Sequence, residues 1–305
     1  MGIYKYISTE RIDILINEHI RFTQPSSFND PFDTYPYFKA VARNEEINNY
    51  FNNNEWWNEQ TIEKMLNESW LEQQKKFKMN IPFEAVKHQM KKMMNFFQPS
   101  IESFIKESAS MQKEPYREAT LESILKAIDN TIGILCLTEN PNNLLMWAHY
   151  ADSHKGLCIE FDEKNKFFDQ RNKENEFRNY LRKVSYSQNR PEVVLFDAVA
   201  KNNDLESWIT QIFWTKCQDW EYEKEWRIIK TLNESKNIKE KDGEKIYLFP
   251  LPIIAINGII LGCKMKKEDR EKIITLLSRE TKYSHIVKYQ AELHEKDYYV
   301  NIEKI

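Results

Sequence analysis

Glycine is scarce, with six in 305 residues. None of them forms a G-x-x-x-x-G-K loop or a G-x-G-x-x-G turn, so the common glycine-backbone cradles for phosphate are unsupported. Cysteine is equally sparse. Cys136, Cys158, Cys217 and Cys263 stand far apart, with no C-x-x-C pair and no histidine at metal-finger spacing. Reduced structural thiols are expected, and His149 and His154 read as core and turn histidines ahead of zinc ligands. There is no G-x-S-x-G, hence no nucleophile elbow for a serine hydrolase. No apolar run reaches the roughly eighteen residues of a membrane span, so no membrane partner is expected. The opening MGIYKYISTERIDILINE has no basic stretch followed by an apolar one, and it misses the myristoylation pattern. A cytoplasmic protein is the resulting expectation. A net charge of −3 argues against a broadly basic nucleic-acid surface.

What is present suffices for a globular core: 41% of the chain is hydrophobic and 30% charged. Strand signals fall at 3–7, 20–23, 133–137, 157–162, 183–186, 247–250, 253–261, 286–289 and 298–302. Helical spacing marks the stretch after Ser8 or Thr9 (Ile12, Leu15 and Ile16 inward), 167–181, 204–216 with Trp208, Ile212 and Phe213 inward, and 267–277. Strands alternating with helices over the whole length predict an α+β fold, a single domain 1–305 on one mixed β-sheet. Residues 44–130 differ, being polar and helical in period (Ile62, Met65, Leu66; Val86, Met90, Met93, Met94, Phe97), with breaks near 80–82 and 98–100. They are expected as a helical insertion, scaffold or lid, tied to the main body by Trp56, Trp57 and Trp70.

Three stretches carry candidate chemistry. In 133–162, GILCLTENPNNLLMWAHYADSHKGLCIEFD, two strands bracket a short helix that Asn140 is expected to cap, with Pro141 in its first turn. Leu144, Trp147, Ala148 and Ala151 share one helical face, Met146 and Tyr150 another. This is the wall of a ligand cleft or, equally, an aromatic-heavy core. In the run PSSFNDPFD, Phe28 and Phe32 pin a polar loop holding Asn29 and Asp30. In WEYEKEWR, read as a strand, Glu221, Glu223, Glu225 and Arg227 share one face. Carboxylates there are spaced by about 7 Å, so a pair repels by roughly 2.4 kcal/mol at an effective dielectric of about 20, against about 0.6 kcal/mol in water. A solvated face needs no explanation for this, whereas a cleft needs Arg227 or a cationic ligand to offset it. A carboxylate pair in a cleft suits cleavage of a glycosidic bond, whose oxocarbenium-like transition state gains positive charge. Asp30, Asp33, Glu160, Glu223 and Glu225 are also the acids from which a Mg²⁺ nuclease site would be drawn.

Tyr4-Lys5-Tyr6, PSSFNDPFD, MWAHYADSHKGLCIEFD and WEYEKEWRII together resemble a bacterial family of unknown function whose members often sit near defence genes. The order of elements also resembles the ADP-ribosyltransferases and related RNA phosphotransferases, in which an early strand brings a His or Arg, a later element an aromatic, and a late strand an E-x-E. That resemblance implies an ADP-ribosyltransferase-like sheet and cleavage of the nicotinamide bond of NAD, with transfer of ADP-ribose to a macromolecule in phage defence or as a toxin. It places Glu225 as the catalytic carboxylate, Glu223 as its partner and Tyr150 against nicotinamide. Lys5 stands where the family has His or Arg, a point charge in place of a planar group. Arg21, Asn29, Asp30, Trp147 and His149 complete the implied NAD-binding set, with no metal. The alternatives are a metal-dependent nuclease on the same acids and a non-catalytic nucleotide- or partner-binding sensor.

Overall fold

Gly2–Ile7 alternates in its side chains and folds accordingly. Ile3 and Ile7 enter the main core on one face, and Tyr4 and Tyr6 pack on the other. A computed structural model describes residues 2–40, 59–77, 81–93, 114–171, 178–194 and 205–305. The elements begin with β1 (Gly2–Ile7), α1 (Asp13–Asn17), β2 (His19–Phe22), β3 (Tyr37–Ala40), α2 (Glu59–Phe77), α3 (83–93) and α4 (Glu114–Asp129). There follow β4 (Ile132–Thr138), α5 (Leu144–Tyr150), β5 (Leu157–Asp162), β6 (Arg182–Lys183), β7 (Ser185–Ser187), β8 (Glu192–Val194), α6 (Leu205–Phe213) and β9 (Thr215–Cys217). The chain closes with β10 (Glu225–Thr231), β11 (Asn237–Lys241), β12 (Glu244–Pro250), β13 (Ile256–Leu261), α7 (Lys267–Arg279), β14 (Val287–Leu293) and β15 (Val300–Lys304).

The result is an α+β protein. Its large mixed sheet runs β15-β14-β13-β5-β1-β4-β10-β6, with β13 and β14 parallel and the other pairs antiparallel. The chain divides into two compact units. One comprises Met1–Pro36, Ile124–Pro191 and Glu206–Ile305, and holds that sheet. The other comprises Tyr37–Ser123 and Glu192–Leu205. In the second unit β3 pairs in parallel with β8, and Glu63 joins α2 to Lys87 and Lys91 of α3.

One irregularity in the sheet matters most. β1 pairs with β5 along its whole length, from Gly2↔Asp162 to Ile7↔Leu157, but meets β4 in register only at Tyr4↔Thr138. β4 follows β10 instead, and Ile134 exchanges both backbone hydrogen bonds with Thr23, at 2.9 and 2.8 Å. The sheet is thus forked between β1 and β4. Backbone groups inside a fork lack ladder partners, and the Lys5 ammonium supplies one, donating to the Cys136 carbonyl at 3.0 Å.

Several expected details shift. A 3₁₀ turn at Thr9–Ile12 rephases the helix that follows, so Ile14 and Leu15 are buried while Ile16 is exposed. Asn143 rather than Asn140 caps α5, accepting from the backbone N–H of Leu145 and Met146. The described part of 167–181 is not helical: Lys166–Phe168 is a 3₁₀ turn burying two adjacent phenylalanines, and Asp169 bridges to Tyr180. Trp70 donates to the Ile81 carbonyl at 2.9 Å, holding α2 to the turn before α3. Met65 and Met93 are exposed, while Ile62 and Leu66 are buried. Trp56, Trp57, Met94, Phe97 and the break at 98–100 lie outside the described residues, as does the Trp208 side chain.

Candidate active site

WEYEKEWR is not one strand. Gln218–Glu223 forms a 3₁₀ turn that ends at Lys224 in the left-handed region, φ 44°, and only then does β10 begin at Glu225. The reversal at Lys224 removes Glu221 from the shared face and leaves it exposed, so the expected four-residue row does not form. Glu223 and Glu225 come together by this turn instead of by strand alternation. Thr138 donates its hydroxyl to the Glu223 carbonyl, and Tyr186 accepts from the Glu225 N–H, fixing the turn on both sides. Glu225 and Arg227 do keep strand spacing.

Around them lies a buried ionic cluster. Arg227 has no exposed surface and uses all five N–H groups. Its Nε donates to Glu225 Oε1 at 2.7 Å and its Nη2 to Glu225 Oε2 at 3.0 Å. Nη1 donates to Asp33 Oδ1 and to the Phe213 carbonyl, each at 2.9 Å, and Nη2 to Asp33 Oδ2 at 2.6 Å. Lys216, at the centre of β9, donates to Glu223 Oε2 at 2.5 Å and Glu225 Oε2 at 3.0 Å, and lies 3.7 Å from Asp33 Oδ2. Asn29 donates to the Tyr150 hydroxyl at 3.3 Å, and that hydroxyl donates to Glu223 Oε1 at 2.6 Å. Three carboxylates therefore face two cations at contact distance, and Lys5 on the same cavity wall interacts with Glu225 as a third.

The two glutamates differ electrostatically. Burial alone would raise Glu225, but Arg227 and Lys216 overcome it and hold the carboxyl at about 2. Burial raises Glu223 above the ordinary carboxylate value, the Glu225 charge adds to this, and Lys216 offsets it only in part. Burial, with the Glu223 charge beside it, pushes the Tyr150 hydroxyl up. Burial pushes Lys5 down and the Cys136 thiol up.

A cavity of about 370 Å³ opens onto this cluster through the fork. Lys5, Asn29, His149, Tyr150, Glu223 and Glu225 all line it, joined by Tyr4, Asp33, Cys136 and Lys216. Arg21 lines an adjoining cavity. Trp147 does not reach either one: it is fully buried against Tyr6, ring centroids 5.0 Å apart, and is core. Asp30 is buried and shapes its loop, accepting from the Phe32 N–H at 2.9 Å. Sequence reasoning missed Lys216, whose signal was faint: one lysine in TKC, a short strand that alternates inward. Among the described residues no group of three or more His, Cys, Asp or Glu side chains could hold a metal ion, since these carboxylates are directed at Lys216 and Arg227. Glu160 accepts from the Tyr4 hydroxyl at 3.2 Å.

Comparison with known proteins adds one name. Residues 146–228 match the family described as Protein of unknown function (DUF2971). That segment brings Tyr150, Lys216, Glu223, Glu225 and Arg227 to the cluster, while Lys5, Asn29 and Asp33 come from outside it. No curated protein and no solved structure matches the chain. No helix among the described residues is long and apolar enough to cross a membrane.

Proposed function

We propose that the protein is an ADP-ribosyltransferase-like enzyme that cleaves the nicotinamide glycosidic bond of NAD and passes ADP-ribose to water or a macromolecular nucleophile. The observation that carries the reading is the convergence of Lys5, Tyr150, Glu223 and Glu225, drawn from three distant segments, around one cavity. A cavity of this size with convergent polar groups and displaced titrations is a form that small-molecule sites take. The ADP-ribosyltransferase likeness of the sheet is an analogy of fold and stands with this proposal.

In this reading the work is divided differently from the E-x-E assignment. Both Glu225 oxygens accept from Arg227, and one also from Lys216, so Glu225 is a positioning residue that holds Lys216 beside Glu223. Glu223, whose oxygens accept one hydrogen bond each, from Tyr150 and Lys216, meets the reacting atoms. As the C1′–N bond breaks, its electron pair passes to the nicotinamide nitrogen and quenches the pyridinium charge, while positive charge grows on the ribose. The Glu223 carboxylate beside the ribose favours that state over the ground state. The incoming nucleophile forms the C1′–O or C1′–N bond and gives up a proton, which Glu223, its carboxyl raised by burial, accepts.

Nicotinamide release from NAD⁺ is the test. Glu223→Gln is expected to lower kcat by about 10²- to 10⁴-fold, the range of a lost acid–base group. A wild-type protein that releases no nicotinamide, or a Glu223→Gln variant at full rate, rules the reading out. The extent to which ion pairs occupy Glu225 favours, as the second reading, a sensor that binds the nucleotide without turnover.

A further inference from the structure

Beside the first cavity lies a second of about 620 Å³. The two share Lys5, Tyr6, Thr23, Ser27, His149 and Tyr150 on their walls. Three cations line the second: Lys5 from β1, Arg11 from the following turn and Arg21 from β2. Arg21 alternates with Ile20 and Phe22, whose burial in the core turns the guanidinium to the opposite face. Its Nε and Nη2 are buried with no hydrogen-bond partner among the described residues. Buried guanidinium nitrogens with idle donors are costly and uncommon in a finished structure.

Acids do not resolve this. Glu10 and Asp152, the carboxylates on the wall, are both exposed, and Asp152 sits 3.8 Å from Lys155. Asp13 is taken by Arg11 at 3.3 Å. Glu244 acts on Arg21 only through its charge. Burial pushes both Lys5 and Arg21 down, and Arg11 adds like charge against each. An anion between them would relieve both effects at once.

We infer that this second cavity is an anion subsite that takes the pyrophosphate of a nucleotide whose sugar end lies in the first. The planar fork of Arg21 suits two phosphate oxygens, Lys5 at the junction supplies a point charge, and the hydroxyls of Thr23 and Ser27 complete the lining. The inference rests on the glycosidic reading for the direction in which the ligand lies, but not for the anion itself.

Calorimetric titration of the full chain with ADP-ribose, inorganic pyrophosphate, adenosine and nicotinamide tests it. ADP-ribose is expected to bind, pyrophosphate to compete with it, and adenosine to bind at least about tenfold more weakly, the worth of one charged hydrogen-bonded contact. Arg21→Met is expected to weaken ADP-ribose by at least about tenfold and leave adenosine unchanged. Should that variant not fold, Arg11→Gln, on the half-exposed rim, is expected to give a several-fold loss that disappears at high salt. Equal binding of adenosine and ADP-ribose, or ADP-ribose affinity indifferent to both substitutions, overturns the inference. ADP-ribose binding without nicotinamide release removes the glycosidic reading alone. Nicotinamide release with affinity indifferent to Arg21 and Arg11 removes the anion subsite alone.

Discussion

Arg227 shows what a single side chain contributes here. It is fully buried, and its charge is tolerable only because Asp33 and Glu225 each take two of its hydrogen bonds and the Phe213 carbonyl takes the fifth. Removing one partner from such a set leaves the others buried and unpaired, which costs more than the intact set contributes. Arg227→Met is accordingly expected to lower stability by about 3–5 kcal/mol in urea unfolding. A loss below about 1 kcal/mol would mean the carboxylates find other partners. Half of this arrangement was legible in the chain. Glu225 and Arg227 sit two apart in a strand, so their meeting follows from alternation. Asp33 does not follow, because the run PSSFNDPFD marks a loop pinned by aromatics and says nothing of what the loop faces.

Element boundaries are set by backbone conformations that composition only hints at. Lys224 adopts a left-handed conformation without being glycine, and that one residue turns an expected strand into a turn plus a strand. By contrast, Asp242-Gly243 between β11 and β12 has φ of 54° and 81°, the conformation of the two-residue hairpin turn that Asp-Gly favours. That hairpin was readable in KDGEK and went unread, since the flanking strands are charged and mostly exposed. Gly156, where α5 gives way to β5, is required for close approach. A Cβ there would lie 2.1 Å from the Ile7 carbonyl oxygen and 2.9 Å from the Ala151 backbone. Backbone atoms cannot step aside as a flexible side chain does, so Gly156→Ala is expected to cost at least about 2 kcal/mol in thermal unfolding. An unchanged melting temperature would show that β1 and α5 can separate freely.

At the scale of the whole molecule the buried charges govern the response to acid. Glu225 titrates at about 2 in the folded protein, below the ordinary 4.5 it regains on unfolding. It therefore contributes stability that is fully present above about pH 4.5 and is lost as pH falls toward 2, amounting to about 3 kcal/mol. Glu223 has the opposite sign, since its folded value is raised and its contribution declines as pH rises through that value. Glu225→Gln is expected to flatten the fall in urea midpoint between about pH 5 and 2. An equally steep fall in that variant would assign the acid sensitivity to other carboxylates.

The chain by itself determined the α+β class, most strand positions in the large sheet, and the segments that hold Tyr150, Glu223 and Glu225. Alternation and helical spacing are local, and each strand's apolar face is written in its own few residues. Only the tertiary structure decided the fork between β1 and β4, the insertion of Lys216 between two glutamates, and the exclusion of Trp147 from the cavity. Those depend on which strands become neighbours, and strand pairing across more than a hundred residues is settled by the joint burial of all the faces.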